Sequence, residues 1–228
     1  MNETLEQSVS MVILGGPIKH WWDENWDTPE HWHYDAWREA LSGGFVQDGS
    51  FLVYRPHHAF KGTWTERAQA VNDAAIRSSD AFVDMTPAGV PSEGTDSEKL
   101  QASSNGAIIV PAPPPEQKGD FDDAIGDLIQ RMKAMGIHRK MVKQEPVVEC
   151  VGWNQRREGM FTWLTEEYAG HVIRLHYIDI ENGFQVKDLN HLEVDRQEAV
   201  AGFEDDSTIR IIDLPQILKA EVLERRVA

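Results

Sequence analysis

A single cysteine, Cys150, stands in 228 residues. That scarcity excludes an intrachain disulfide and any zinc site built from cysteines. Basic residues are also few: Lys and Arg total 22 against 38 Asp and Glu, a formal net charge of −16. A nucleic-acid polymer is therefore not an expected partner, because phosphate binding draws on a basic face. No apolar run approaches the roughly 18 residues of a membrane helix, so no membrane partner is expected. The first ten residues hold Glu3 and Glu6 and no basic residue, unlike a signal peptide. The default expectation is an acidic, soluble, cytoplasmic protein. Hydrophobic residues at 41% and charged residues at 26% are ordinary globular values. A chain of this length can bury a core without staples.

Periodicity then orders the elements. Met11 to Gly16 (MVILGG) reads as a buried strand closed by a turn. Pro29 opens a helix whose apolar positions include Trp32, Ala36, Trp37, Ala40 and Leu41, and Gly43-Gly44 ends it. Phe51 to Tyr54 is a second strand, and a helix over 65–79 turns Ala68, Val71, Ala75 and Ile76 to one side. Ala81 to Met85 is a third strand, a helix opens at Thr95, and Ala107 to Val110 is a fourth strand. The alternation predicts an α/β fold, a parallel sheet with helices on both faces. A helix over 120–135 and a fifth strand at Val147 to Val151 complete a domain over 11–152. Residues 153–228 read as a C-terminal α+β extension of unknown role. It has a hairpin signal at Asn182-Gly183 and a last helix over 215–226.

In such a sheet, ligands bind outside the carboxyl ends of the strands. Those ends carry Gly15-Gly16-Pro17, Tyr54 followed by His57 and His58, and the loop Pro91-Ser92-Glu93-Gly94-Thr95 leading to Glu98. A Ser-x-Gly-Thr turn entering a helix offers free N–H groups and a favourable dipole to an anion. The same residues admit a plain alternative, since Thr95-x-x-Glu98 is also a capping box. Asp73, inside the preceding helix, is a second carboxylate, though a solvated helix Asp is the commoner case.

Four segments in register carry a resemblance: Ile13-Leu14-Gly15-Gly16-Pro17, Val53-Tyr54-x-Pro56, Asn72-Asp73-x-x-Ile76-x-x-Ser79-Asp80 and Gly94-Thr95-x-x-Glu98. Over residues 11–111 the chain resembles the nucleoside 2-deoxyribosyltransferase superfamily. Its members cleave the N-glycosidic bond of nucleosides or nucleoside 5′-monophosphates. The resemblance implies a flavodoxin-like (Rossmann-like) parallel sheet of about five strands. It implies Glu98 as the nucleophile on the anomeric carbon and Asp73 as the carboxylate that positions the sugar and handles the proton of the leaving base. It makes Gly15, Gly16 and Pro17 a pocket-lining loop, with Tyr54, His57, His58, Ser92, Gly94 and Thr95 around the substrate. Paired carboxylates suit this chemistry, because glycosidic cleavage builds positive charge on the sugar. Proton transfer to the leaving base is general acid work. No metal and no cofactor are implied.

Ser92 stands where transferases acting on free deoxynucleosides usually carry Asp. It therefore resembles the branch that hydrolyses nucleoside 5′-monophosphates to free base and (deoxy)ribose 5-phosphate, since a Ser hydroxyl tolerates a phosphate that an Asp repels. Lys19, Arg55 and Lys61 are cations available to that phosphate. Glu93 and the Lys99-Leu100-Gln101 continuation depart from the family pattern. Base exchange between deoxynucleosides is the alternative activity. A non-catalytic nucleotide-binding sensor or interaction protein is a second. The resemblance also implies a homodimer or higher oligomer.

Other features read more plainly. His31, His33 and Asp35 are two apart, so a helix points them to different sides and they form no shared metal site. The five tryptophans between Trp21 and Trp37 suit a pocket mouth or subunit contact. The basic run from Arg131 to Lys143 reads as a solvated helix end.

Overall fold

The computed structural model describes residues 6–15, 51–54, 65–84, 86, 92–111, 130–132, 134–137, 140–152, 160–195, 199–204 and 208–226. The chain divides into two compact units, one of residues 8–55 and 76–141, the other of residues 1–7, 56–75 and 142–228. Each unit draws on separated stretches of chain.

The first unit is organised by a parallel sheet. Its strands are β1 (Glu6–Gly15), β2 (Phe51–Tyr54), β3 (Ala81–Asp84) and β4 (Ile108–Pro111), in the order β2-β1-β3-β4. A short strand, β5 (Lys140–Lys143), also pairs with β1. Val9, Met11, Val12 and Ile13 of β1 and Ala81, Phe82 and Val83 of β3 are all buried. Continuous apolar runs are what a parallel sheet covered on both faces demands. Asp80 stitches the middle of this sheet. Its carboxylate accepts the Met11 N–H at 2.9 Å, its own N–H donates to Met11 O, and its carbonyl accepts the Ile108 N–H at 3.0 Å.

Two helices flank β3 in sequence. Helix α1 (Glu66–Ser78) starts where the Thr65 hydroxyl accepts the Ala68 N–H at 3.1 Å, with Glu66 in its first turn and Arg77 in its last. It buries Ala68, Val71, Asn72, Ala75 and Ile76, the spacing expected of a core-facing stripe. Helix α2 (Glu93–Ser104) follows β3 and leads to β4.

The second unit is organised by a six-stranded antiparallel sheet in the order β10-β9-β8-β7-β11-β6. Its strands are β6 (Val147–Gly152), β7 (His171–Asp179), β8 (Gly183–Asp195), β9 (Ala199–Phe203), β10 (Ile209–Asp213) and β11 (Ile217–Arg226). On one face, Ile173, Leu175 and Tyr177 of β7 join Val151, Leu189, Val200, Ala220 and Val222. Leu164 of helix α3 (Met160–Glu167) packs into the same core. The Asn182-Gly183 hairpin forms as expected. The Asp179 carboxylate accepts the Glu181 and Asn182 N–H groups, and Gly183 takes a positive φ of 70°.

This sheet overturns the expected fold class. An α/β chain built on one five-stranded parallel sheet is not what forms. Eleven strands against three helices of eight or more residues are found among the described residues, and the larger sheet is antiparallel. Val147–Gly152 is not a fifth parallel strand, since it pairs antiparallel with β11, Cys150 opposite Glu221. The helix expected over 215–226 is strand β11. Leu, Lys, Ala, Glu and Arg favour helix by propensity, but β7 and β6 pair with both edges of this segment. Tertiary pairing outweighs a propensity of tenths of a kcal/mol per residue. Pro215 does open a helical turn, only the short 3-10 helix Leu214–Gln216. The Gln216 amide donates to Ile178 O at 2.6 Å and fixes that turn to β7.

Candidate active site

The carboxyl edge of the parallel sheet is a defined row. Gly15 of β1 stands beside Asp84 of β3, and Asp84 beside Pro111 of β4, while Tyr54 ends β2 opposite Ile13. Gly15 has an internal reason to be glycine. A Cβ there would overlap the buried ring of Phe82. Its place in the sheet is therefore required for packing, whatever else the loop after it does. Gly16, Pro17, His57 and His58 lie outside the described residues, as do Lys19, Arg55, Lys61 and the His31, His33 and Asp35 group.

Helix α2 begins two residues earlier than expected from Thr95. Ser92 is the N-cap, its hydroxyl accepting the Thr95 N–H at 3.3 Å and lying 2.7 Å from the Thr95 hydroxyl. The Asp96 N–H closes the first turn on Ser92 O. Thr95 is thus the third helical residue and buried, and its N–H is already taken. The Thr95-x-x-Glu98 capping box does not form the start of this helix. Glu98 belongs to the body of α2, in its second turn and half-buried.

The face that α2 turns inward is unusual in composition. Thr95 and Ala102 are its buried residues, and Glu98 and Lys99 lie half-buried between them. Leu100 is exposed. Spacings of three, four and seven put these four residues on one stripe. Gly94 is exposed, and a Cβ added there would meet nothing within 4 Å.

Lys99 joins this stripe to the strand end. Its ammonium donates to Asp84 Oδ2 at 2.8 Å and pairs with Asp96 Oδ1 at 2.9 Å. Asp84 also accepts the Thr86 N–H at 3.0 Å. Burial works against the Asp84 charge, but the Lys99 and Thr86 hydrogen bonds outweigh it and hold the carboxyl below its ordinary range. The same two aspartates raise the Lys99 ammonium. Asp84 and Lys99 are the pair that sequence reasoning missed. The signal was present, a carboxylate closing an apolar strand and a lysine one residue past the expected nucleophile.

Ser92, Gly94, Thr95 and Glu98 are therefore brought together on one helix start and its second turn. Asp73 lies on α1, half-buried, its Oδ1 accepting the Gln69 side-chain N–H at 2.8 Å one turn earlier.

A second charged cluster lies on the antiparallel sheet, on the face opposite the apolar core. His176 Nε2 stands 2.9 Å from Glu221 Oε2, and Lys219 Nζ 2.6 Å from Glu221 Oε1. Arg174 forks onto Asp188 at 2.7 and 3.0 Å and donates to Lys143 O at 2.7 Å. Arg225 bonds both Asp188 and Glu145. Arg174, His176 and Lys219 are all buried. Burial lowers the His176 pKa, although the Glu221 hydrogen bond pulls the other way. Burial also opposes the Glu221 charge, yet His176 and Lys219 hold that carboxyl at about 2. No group of three His, Cys, Asp or Glu among the described residues could hold a metal ion. None of the helices among the described residues is long and apolar enough to cross a membrane.

Comparison with protein-family models, with curated proteins and with solved structures finds no match to this chain.

Proposed function

We propose that this protein cleaves the N-glycosidic bond of a nucleoside 5′-monophosphate, releasing free base and (deoxy)ribose 5-phosphate, with Glu98 as the nucleophile. The observation that carries this reading is the position of Glu98. It sits on the inward stripe of α2, in the body of the helix, one residue from the lysine that bonds the carboxyl end of β3. Ligands in parallel sheets bind at that edge.

The step balances simply. The Glu98 carboxylate forms a bond to the anomeric carbon as the bond to the base nitrogen breaks, and the base leaves with that electron pair. The base takes a proton from a general acid. Water then attacks the anomeric carbon, frees Glu98 and completes hydrolysis. Glu93 and Gly94 open the helix with N–H groups that suit the 5′-phosphate. The reading needs no metal and no cofactor, and a homodimer or larger assembly is part of it.

One observation favours a second reading. The Ser92 hydroxyl is already engaged by Thr95, and Glu93 and Asp96 add two carboxylates to the same helix start. That charge suits a substrate with a free 5′-hydroxyl, and so base exchange between deoxynucleosides.

A chromatographic screen for released base separates the readings. It uses nucleosides and 5′-monophosphates, ribo and deoxy, with and without an acceptor base, beside Glu98→Gln. Base released from monophosphates and lost in the variant supports hydrolysis. New nucleoside formed only with acceptor present supports exchange. Binding without release from any substrate overturns both and leaves a sensor.

A further inference from the structure

We propose that Lys99 is a positioning residue for this site, its ion pair with Asp84 fixing helix α2 on the end of β3 and so setting where the Glu98 carboxylate stands. The proposal rests on the reading of Glu98 as nucleophile.

The argument starts from how little apolar surface holds this helix. A twelve-residue helix normally buries a stripe of large side chains against its sheet. Here the buried residues are Thr95 and Ala102, one polar and one a single methyl, and Leu100 is turned to solvent. Apolar burial scales with area, so two small side chains hold a helix weakly in both depth and rotation. The middle of the inward stripe is instead Glu98 and Lys99.

Lys99 supplies the missing anchor. Its side chain and that of Asp84 are each about three-quarters buried, at 26% and 20% exposure. Asp84 is itself fixed by the Thr86 N–H. It sits in register between Gly15 and Pro111. The contact is thus a charge-assisted hydrogen bond between a rigid strand end and a weakly buried helix. Asp96 holds the same ammonium from the turn before, so Lys99 is gripped from two directions and its stem cannot swing freely. Glu98 is bonded to Lys99 through one peptide unit. Any rotation or slide of α2 that Lys99 permits moves the Glu98 carboxylate with it. Misplacement of a reacting group by about 1 Å costs on the order of 100-fold in rate.

The lysine is a departure from the family pattern noted in the sequence. The inference is that the departure compensates for the thin apolar contact of α2. Of the two partners, only the half-buried Asp84 reaches across to the sheet.

The test uses the full chain and two readouts, turnover and amide hydrogen exchange across α2. Lys99→Met removes the charge and keeps the stem, Lys99→Arg keeps the charge, and Asp84→Asn removes the acceptor charge. The expected result is a kcat lower by about 10- to 100-fold in Lys99→Met and Asp84→Asn with KM near wild type. Lys99→Arg recovers much of the loss. Exchange protection of residues 96–104 falls in Lys99→Met and Asp84→Asn while the amides of β7 are unchanged. Unchanged kcat in Lys99→Met, in an active wild type, overturns the proposal. If the wild type releases no base from any substrate, the reading of Glu98 fails by itself. Exchange then decides: lost protection in α2 keeps Lys99 as the anchor of this helix, and unchanged protection overturns that too.

Discussion

Two charged clusters stand on two sheets, and they are built on opposite terms. At the parallel edge, Lys99 lies between Asp84 and Asp96, all within reach of solvent. On the antiparallel sheet, Lys219 and His176 lie buried and Glu221 half-buried among strands paired on both sides. The first cluster is assembled from a strand end and a helix face with little apolar support. The second is locked by ladder hydrogen bonds, with Glu221 reached by His176 from the neighbouring strand and by Lys219 from its own. Buried charges are costly unless paired, so the second cluster governs stability. The Lys99–Asp84 pair of the first cluster instead ties a helix with little apolar burial to a strand end. The contrast teaches that burial alone does not mark a functional site. The more perturbed carboxylate, Glu221, belongs to the cluster that holds the fold.

Substitutions should separate the two clusters, beginning with the strongest effect. Glu98→Gln should lose turnover by about 1,000-fold or more, with a thermal melt matching wild type. A melt that fell with activity would assign Glu98 to the fold. Glu221→Leu should do the reverse. It leaves the buried Lys219 ammonium without its carboxylate, at a cost of about 3–5 kcal/mol in denaturant unfolding. Turnover per folded molecule should be unchanged.

Gly15→Ala comes next, because the new methyl must displace the Phe82 ring. About 1–3 kcal/mol of stability should be lost. The pH response sharpens the comparison further. His176 titrates below its ordinary range, so the unfolded chain takes up the proton first and stability is lost as pH falls below about 6.5. Glu221 titrates at about 2, so its contribution is present above the ordinary value of 4.5 and is lost as pH falls toward 2. Stability should therefore fall in two pH windows, and His176→Gln should flatten the upper one. The smallest effect is expected at Ser92→Ala, about 1 kcal/mol for the lost N-cap.

Legibility in the sequence followed the same division. Strands β1 to β4 were readable from continuous apolar runs, helix α1 from its 3.6-residue period and helix α2 from its capping residues. The Asn182-Gly183 hairpin was readable from its turn chemistry. Strand β11 was not, since Ile217 to Arg226 are good helix formers and only the partners β7 and β6 make them a strand. Those pairings join residues far apart in the chain, which no local window sees. The start of α2 was misplaced because Ser92 and Thr95 are both good caps, and which one wins depends on Thr95 being buried. That Glu98 lies in the body of α2 and not at its start needed the geometry, as did the Lys99–Asp84 bond, fifteen residues apart in sequence.

The most direct test is covalent. Wild-type protein is mixed with the best nucleotide substrate, quenched in acid during turnover, digested and examined by peptide mass spectrometry. The account predicts a sugar phosphate on the peptide containing Glu98, absent in Glu98→Gln. Rapid base release with no adduct on that peptide, or an adduct on another residue, would contradict it.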